Sequence, residues 1–111
     1  MLPKDMQVEA LAISLHDHYR GFHPSLPPWD ALPEAKREIN RAQVRDFPAL
    51  TQRYGMHDME ALAAGAHEVW MRFCEKKDDL RIVPYDALSE DEKEKDRQVV
   101  QVLLVLFQSV S

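Results

Sequence analysis

The sequence predicts a mainly α-helical fold with small β elements, in which two similar repeats pack pseudo-symmetrically as one compact unit. Three observations lead to this prediction. Two blocks of sequence recur in the same order, apolar residues follow helical spacing inside these blocks, and the connector of the second copy ends in β-prone residues. With 111 residues, of which 45% are hydrophobic, the chain has the size of one domain.

The first repeated block has the pattern of an amphipathic helix. EALAISLHDHY in the first copy is followed 51 positions later by EALAAGAHEVW, so that His16 corresponds to His67 and Tyr19 to Trp70. The histidine and the aromatic residue are three positions apart and therefore share a face of the helix. The predicted apolar stripes are Val8, Leu11, Ala12, Leu15 and Tyr19 in the first copy and Met59, Leu62, Ala63, Ala66 and Trp70 in the second.

The second block restarts a helix in each copy. PWDALPEAKREINRAQV is followed 56 positions later by PYDALSEDEKEKDRQVV, in which Trp29 corresponds to Tyr85 and Arg41 to Arg97. We predict helices from about 34 to 46 and from 90 towards 108, because proline suits a first helical turn and the spacing of Ser89 and Glu92 is that of a capping box. The aspartates Asp30 and Asp86 are expected to cap turns, and the two arginines either pair with them or face a ligand phosphate.

The connectors divide the chain into its repeats. Pro48 and Gly55 punctuate the junction, so that a shortened repeat covers residues 1–55 and a full repeat covers 56–111. The first internal connector, from Gly21 to Pro28, is rich in proline and is predicted to be a loop. The second, from Cys74 to Pro84, ends in Arg81-Ile82-Val83, where a short hairpin or a single strand is expected.

The last predicted helix is apolar on almost every side from Val99 to Phe107. Such a helix either fills the core between the copies or buries one face in another chain. The second alternative predicts a homo-oligomer, and a homodimer in particular.

The composition argues against several classes of partner and compartment. A formal net charge of −5 is unfavourable for binding a nucleic-acid polymer, although single arginines can still hold a small phosphate. The longest apolar stretch is too short to span a membrane, and the first residues do not resemble a signal peptide. The lone cysteine, Cys74, cannot form an intramolecular disulfide. We therefore expect a cytoplasmic protein without a membrane partner.

Motifs for catalysis, cofactors and metals are missing from the sequence. It has no G-x-G-x-x-G, P-loop or G-x-S-x-G motif, so we expect no cofactor. His16 and His18 point to different sides of a helix, which argues against zinc. Because no nucleophile and base stand at a readable spacing, we expect that the protein is not an enzyme.

The second copy resembles the ryanodine-receptor repeat (RyR domain) family through AHEVW and VPYDALSEDEKEKDR. The first copy, through LHDHY and PWDALPEAKREINR, resembles the shortened repeat that precedes a full one in bacterial proteins of this family. The resemblance implies a mostly helical, non-catalytic unit used in pairs. It also implies a nucleotide-binding cleft in which the aromatic residue of each H-x-x-W motif helps to sandwich an adenine. Tyr19 departs from this motif, since the family has Trp at that position.

The resemblance places a nucleotide or nucleotide-derived ligand between the copies, where Tyr19 and Trp70 would stack on the base and His16 and His67 would be polar partners. Arg20 or Arg72, near the helix ends, would hold a phosphate. The alternative is that both aromatic residues belong to the core and that both histidines have satisfied core positions. For the whole protein, the alternative is an interaction module that uses its apolar last helix.

Overall fold

The computed structural model describes residues 4–74 and 78–110, which form four α-helices and two short 3-10 turns. The helices are α1 (Asp5–Tyr19), α2 (Glu34–Tyr54), α3 (Met59–Phe73) and α4 (Glu90–Val110). The turns Trp29–Ala31 and Tyr85–Ala87 precede α2 and α4. Each half of the chain thus runs through a helix of 15 residues, a turn of 3 and a helix of 21.

The prediction of small β elements is wrong, while the mainly α-helical character fits. No strand occurs among residues 4–74 and 78–110, and the β-prone segment Arg81-Ile82-Val83 lies in turns and bends. The N–H of Ile82 donates to the carbonyl of Asp79 at 3.0 Å, and the N–H of Arg81 donates to the Asp79 carboxylate at 2.8 Å. This Asx-type turn bends the chain at Asp79 and so prevents the extended conformation that the residues from 81 to 83 favour. A strand would also need a neighbouring strand to pair with, and the described residues contain none. Residues 75–77 of the same connector lie outside the described residues.

Helix α2 is longer than the sequence predicts, since it continues through Pro48. Proline lacks the N–H that would bond to the carbonyl four residues earlier, so its presence inside a helix normally costs stability. Here Leu50, which follows the proline, packs against the core, and its burial offsets the cost of the proline so that the helix continues. Gly55, with a φ of 80°, then ends the helix and donates its N–H to the carbonyl of Thr51 at 2.8 Å.

The core lies where each helix meets two others. Helix α1 packs against α2 and α4, and α3 packs against the same two helices. The largest fully buried side chains are Phe47, Leu15, Leu62, Leu103, Val44, Val69 and Val100. The rings of Phe47 and Phe107 stand 5.4 Å apart and join α2 to α4.

The apolar part of α4 fills the core of its own chain. Val100, Val102, Leu103 and Leu106 are buried, and of the large apolar side chains in the described part of this helix only Val105 is exposed, at 58%. The first of the two alternatives for this helix is therefore observed, and the homodimer prediction loses the observation that motivated it. Within the described part of the chain, none of the helices has an apolar stretch that could cross a bilayer.

One ion-pair network occurs in both halves of the molecule. Arg41 reaches Glu9 of the first helix at 2.7 Å, and Arg97 reaches Glu60 of the third at 2.7 Å. Each arginine also pairs with two glutamates of its own helix. Hydrogen bonding to Arg97 lowers the pKa of Glu60 to about 2. Both arginines thus pair with glutamates and not with the aspartates of the second blocks, which was one of the two predicted roles. With these guanidinium groups bound to carboxylates, the structure gives no support to the other predicted role, which is to face a ligand phosphate.

Replacing Phe47 with alanine is expected to lower the free energy of unfolding by about 3–5 kcal/mol, because the change opens a cavity between α2 and α4. Val105→Ala, on the exposed side of α4, should stay within about 0.5 kcal/mol of the wild type. Urea denaturation followed by circular dichroism measures both. Equal effects of the two substitutions would contradict this description of the core.

Candidate functional site

A cavity of about 500 Å³ lies between the two repeats and is partly open to solvent. Residues of all four helices and of both connectors line it. Four of the six residues singled out from the sequence meet there, namely His16 and Tyr19 of α1 and His67 and Trp70 of α3. The volume lies in the range of about 300–1,000 Å³ that is typical of small-molecule sites.

The two arginines expected to hold a phosphate do not line this cavity. Arg20 donates a hydrogen bond from Nε to the carbonyl of Leu26 at 3.1 Å, and this bond joins the two ends of the connector that follows α1. The side chain of Arg72 is 62% exposed and lies 3.8 Å from a carboxylate oxygen of Asp46. The arginine that lines the cavity is Arg81, in the connector that the sequence analysis expected to be a β element.

The aromatic residues of the two H-x-x-aromatic motifs form part of the cavity wall and are half-buried. The indole of Trp70 is nearly parallel to the ring of His67, at 15° and 5.6 Å between centroids, and the guanidinium of Arg81 lies 4.8 Å from the indole centroid. The ring of Tyr19 stands 4.6 Å from that of His23. Burial, helped by the charges of Asp96 and Glu92, raises the pKa of Tyr19 to about 12, so this phenol stays neutral.

The two repeated histidines are bound to the connectors. His16 Nε2 donates to the carbonyl of Pro27 at 2.7 Å, and His67 Nε2 donates to the carbonyl of Val83 at 2.8 Å. A carbonyl oxygen only accepts, so both Nε2 atoms carry a proton. The first bond joins α1 to the residue two positions before Trp29, and the second joins α3 to the residue two positions before Tyr85. The sequence predicts both histidines as polar partners of a ligand, but in each of them Nε2 is already bound to a backbone carbonyl.

The second nitrogen of His67 faces a buried carboxylate. Nδ1 lies 3.3 Å from Oδ2 of Asp96, a distance long for a charge-assisted hydrogen bond. Burial lowers the pKa of His67, but Asp96 and the carbonyl of Val83 together outweigh it, so the pKa is raised above its ordinary 6.5. Burial likewise raises the pKa of Asp96, against the opposing effect of His67.

Charges in the cavity wall are balanced. The cationic side chains are Lys36, Arg81 and Lys95, and the carboxylates are Asp79, Glu92 and Asp96. Arg81 binds Asp79 through two contacts of 2.7 and 2.9 Å, and Lys95 binds Glu92 at 3.0 Å. Lys36 is the one cation of the wall without an ion pair among the described residues. The cavity therefore has little surplus positive charge with which to hold several phosphates.

Gln43 is the main lining residue that the sequence analysis missed. It is only 5% exposed, and its Nε2 donates to the carbonyl of Ala66 at 2.9 Å. A signal was available, since Lys36, Ile39 or Asn40, and Gln43 follow helical spacing along one side of α2. No such signal existed for Arg81, which reaches the cavity through the irregular path of its connector.

The arrangement is suited to binding a flat polar molecule. It offers aromatic rings, buried hydrogen-bonding groups and few unpaired charges. Within residues 4–74 and 78–110, no three side chains of His, Cys, Asp and Glu are arranged to hold a metal ion.

The raised pKa of His67 can be tested by NMR titration of its ring protons in the wild type and in Asp96→Asn. We expect the wild-type pKa to lie above 6.5 and to fall in the variant, because burial then acts without the opposing carboxylate. A raised pKa means that stabilisation by protonated His67 is complete below pH 6.5 and is lost as the pH rises through the folded-state value. An unchanged pKa in Asp96→Asn would show that the carboxylate is not the cause.

Comparisons of this chain with models of protein families, with curated proteins and with solved structures find no match. What the cavity can bind therefore follows from the side chains of this chain and their contacts. Four of these side chains occupy two equivalent pairs of positions in the repeats and meet at this one cavity.

Proposed function

We propose that this chain is a non-catalytic ligand-binding module of the ryanodine-receptor repeat type, which takes a nucleotide-type small molecule in the cavity between its repeats. One observation carries the proposal. Tyr19 and Trp70 stand at equivalent positions of the two repeats, and both are half-buried in the wall of the same cavity of about 500 Å³. Two aromatic rings in the wall of one cavity offer faces on which a flat ligand can stack.

Stacking on Trp70 is the main contribution expected to affinity. Base–aromatic stacking is worth about 1–3 kcal/mol per base. The planar guanidinium of Arg81 now lies over the indole, and a flat base can take this position. Such an exchange would have to move Arg81 together with Asp79, since two contacts of 2.9 and 2.7 Å join their side chains.

The base, and not the phosphate chain, is expected to dominate recognition. The cationic and anionic side chains of the wall are equal in number, and Lys36 alone lacks an ion pair among the described residues. This lysine can form an ion pair with one phosphate, whereas further phosphates would be repelled by the carboxylates of the wall. We therefore expect a nucleoside monophosphate to bind at least as tightly as a triphosphate.

The interaction-module alternative is not supported by a comparable observation, because the apolar residues of α4 are mostly covered by the other helices. Cys74 is buried and the fold needs no disulfide, so we propose the cytoplasm as the place where the module works.

Calorimetric titration with adenosine and guanosine monophosphates tests the proposal. Trp70→Ala should weaken the binding of either ligand by roughly tenfold or more, since one stacking face is lost. Phe73→Ala is the matched control, because it removes an exposed aromatic ring of the same helix that does not line the cavity. This control should bind like the wild type.

Two outcomes would overturn the proposal. If Trp70→Ala unfolds while Phe73→Ala does not, the indole belongs to the core and is not a stacking platform. If neither monophosphate, no adenine or guanine nucleoside and no cyclic dinucleotide binds to the wild type at millimolar concentration, the cavity does not serve this class of ligand.

A further inference from the structure

Two side-chain oxygens of the cavity wall are buried without a hydrogen-bond partner. They are Oε1 of Gln43, on α2, and Oδ2 of Asp96, on α4. No other buried side-chain oxygen or nitrogen of the described residues lacks a partner. Buried polar groups are nearly always paired in native proteins, because an unpaired one loses its hydrogen bond to water without replacement. It is therefore informative that both exceptions belong to residues of the same cavity.

The identity of the unpaired atom of Gln43 is fixed by its neighbour. The amide reaches the carbonyl of Ala66 at 2.9 Å, and a carbonyl can only accept, so the amide nitrogen must be the atom on that side. The amide oxygen is then the remaining acceptor. Gln43 is 95% buried, since only 5% of its surface is exposed, so water outside the protein does not satisfy this oxygen.

Asp96 supplies a second acceptor from the other repeat. Its Oδ2 lies 3.3 Å from His67 Nδ1, which is long for a hydrogen bond, and accepts no hydrogen bond of good geometry from the described residues. The terminal torsions of Gln and Asp side chains are soft, so a modest rotation can turn either oxygen towards a ligand atom.

We propose that the ligand of this cavity carries N–H donors on an amino-bearing edge, as adenine, guanine and cytosine do, and that Gln43 Oε1 and Asp96 Oδ2 accept hydrogen bonds from that edge. This inference rests on the proposed function and adds to it the chemistry by which a ligand is chosen. Stacking on Trp70 does not distinguish one base from another, because every base has a flat face. Two buried acceptors are selective, because a base that presents only acceptors to them leaves all the groups unpaired.

Pairs of ligands that differ in one amino group test this inference on the wild-type protein. Adenosine and purine riboside differ only in the amino group at C6, and guanosine and inosine monophosphates differ only in the amino group at C2. We expect the amino-bearing member of at least one pair to bind roughly tenfold to a hundredfold more tightly in calorimetric titrations, since its partner leaves a buried acceptor without a donor.

Two variants locate the effect. Gln43→Met keeps the shape of the side chain and removes the acceptor, and the carbonyl of Ala66 keeps its partner inside α3. The preference for the amino-bearing ligand should fall by about tenfold in this variant. Gln52→Met is the matched control, because it makes the same substitution at an exposed position of the same helix outside the cavity and should keep the preference.

The outcomes separate this inference from the proposed function. If both members of each pair bind equally well to the wild type, the inference about donors is wrong, and ligand binding by the module stands. If Gln43→Met is folded and keeps the full preference, Gln43 is not the acceptor that reads the amino group. If no member of either pair binds, and no cyclic dinucleotide binds either, the proposed function fails together with the inference.

Discussion

The hydrogen bond from each repeated histidine to a connector carbonyl is the contact on which the architecture depends. His16 and His67 lie inside helices, whereas Pro27 and Val83 lie in the connectors, outside the helices. Each histidine is only 3% exposed, so the loss of its hydrogen-bond partner would be costly. By fixing the connector, it also fixes the buried aromatic residue two positions later, and with it the start of α2 or α4.

The same contact shapes the cavity. Because the connector of the second repeat is held against α3 by His67, Arg81 of that connector lies over Trp70 and next to Asp79. In the first repeat the corresponding connector places His23 beside Tyr19. The two repeated histidines thus help to shape the cavity through the connectors that form part of its wall.

The helices and four lining residues could be predicted from the sequence, because both depend on periodic patterns. Features in which local geometry competes with propensity could not. The turn held by Asp79 prevents a strand at Arg81, and the burial of Leu50 carries α2 past Pro48. The role of Glu9 and Glu60 was also missed, although both stand at the head of an exactly repeated tetrapeptide. A charged residue that recurs at the same place was the signal for an ion pair between helices.

Differences between the repeats are as instructive as their likeness. The glutamate, histidine and arginine that hold each repeat together are identical in both copies. At the cavity the copies differ instead, for the positions of Lys36 and Gln43 in α2 are those of Glu92 and Val99 in α4. A cavity between two equal repeats would accept a ligand in either of two orientations. Unequal side chains remove this equivalence, since a donor edge that faces Gln43 in one orientation would face the apolar Val99 in the other. The residues that hold each repeat together are thus duplicated, whereas the side chains that the two copies contribute to the cavity differ.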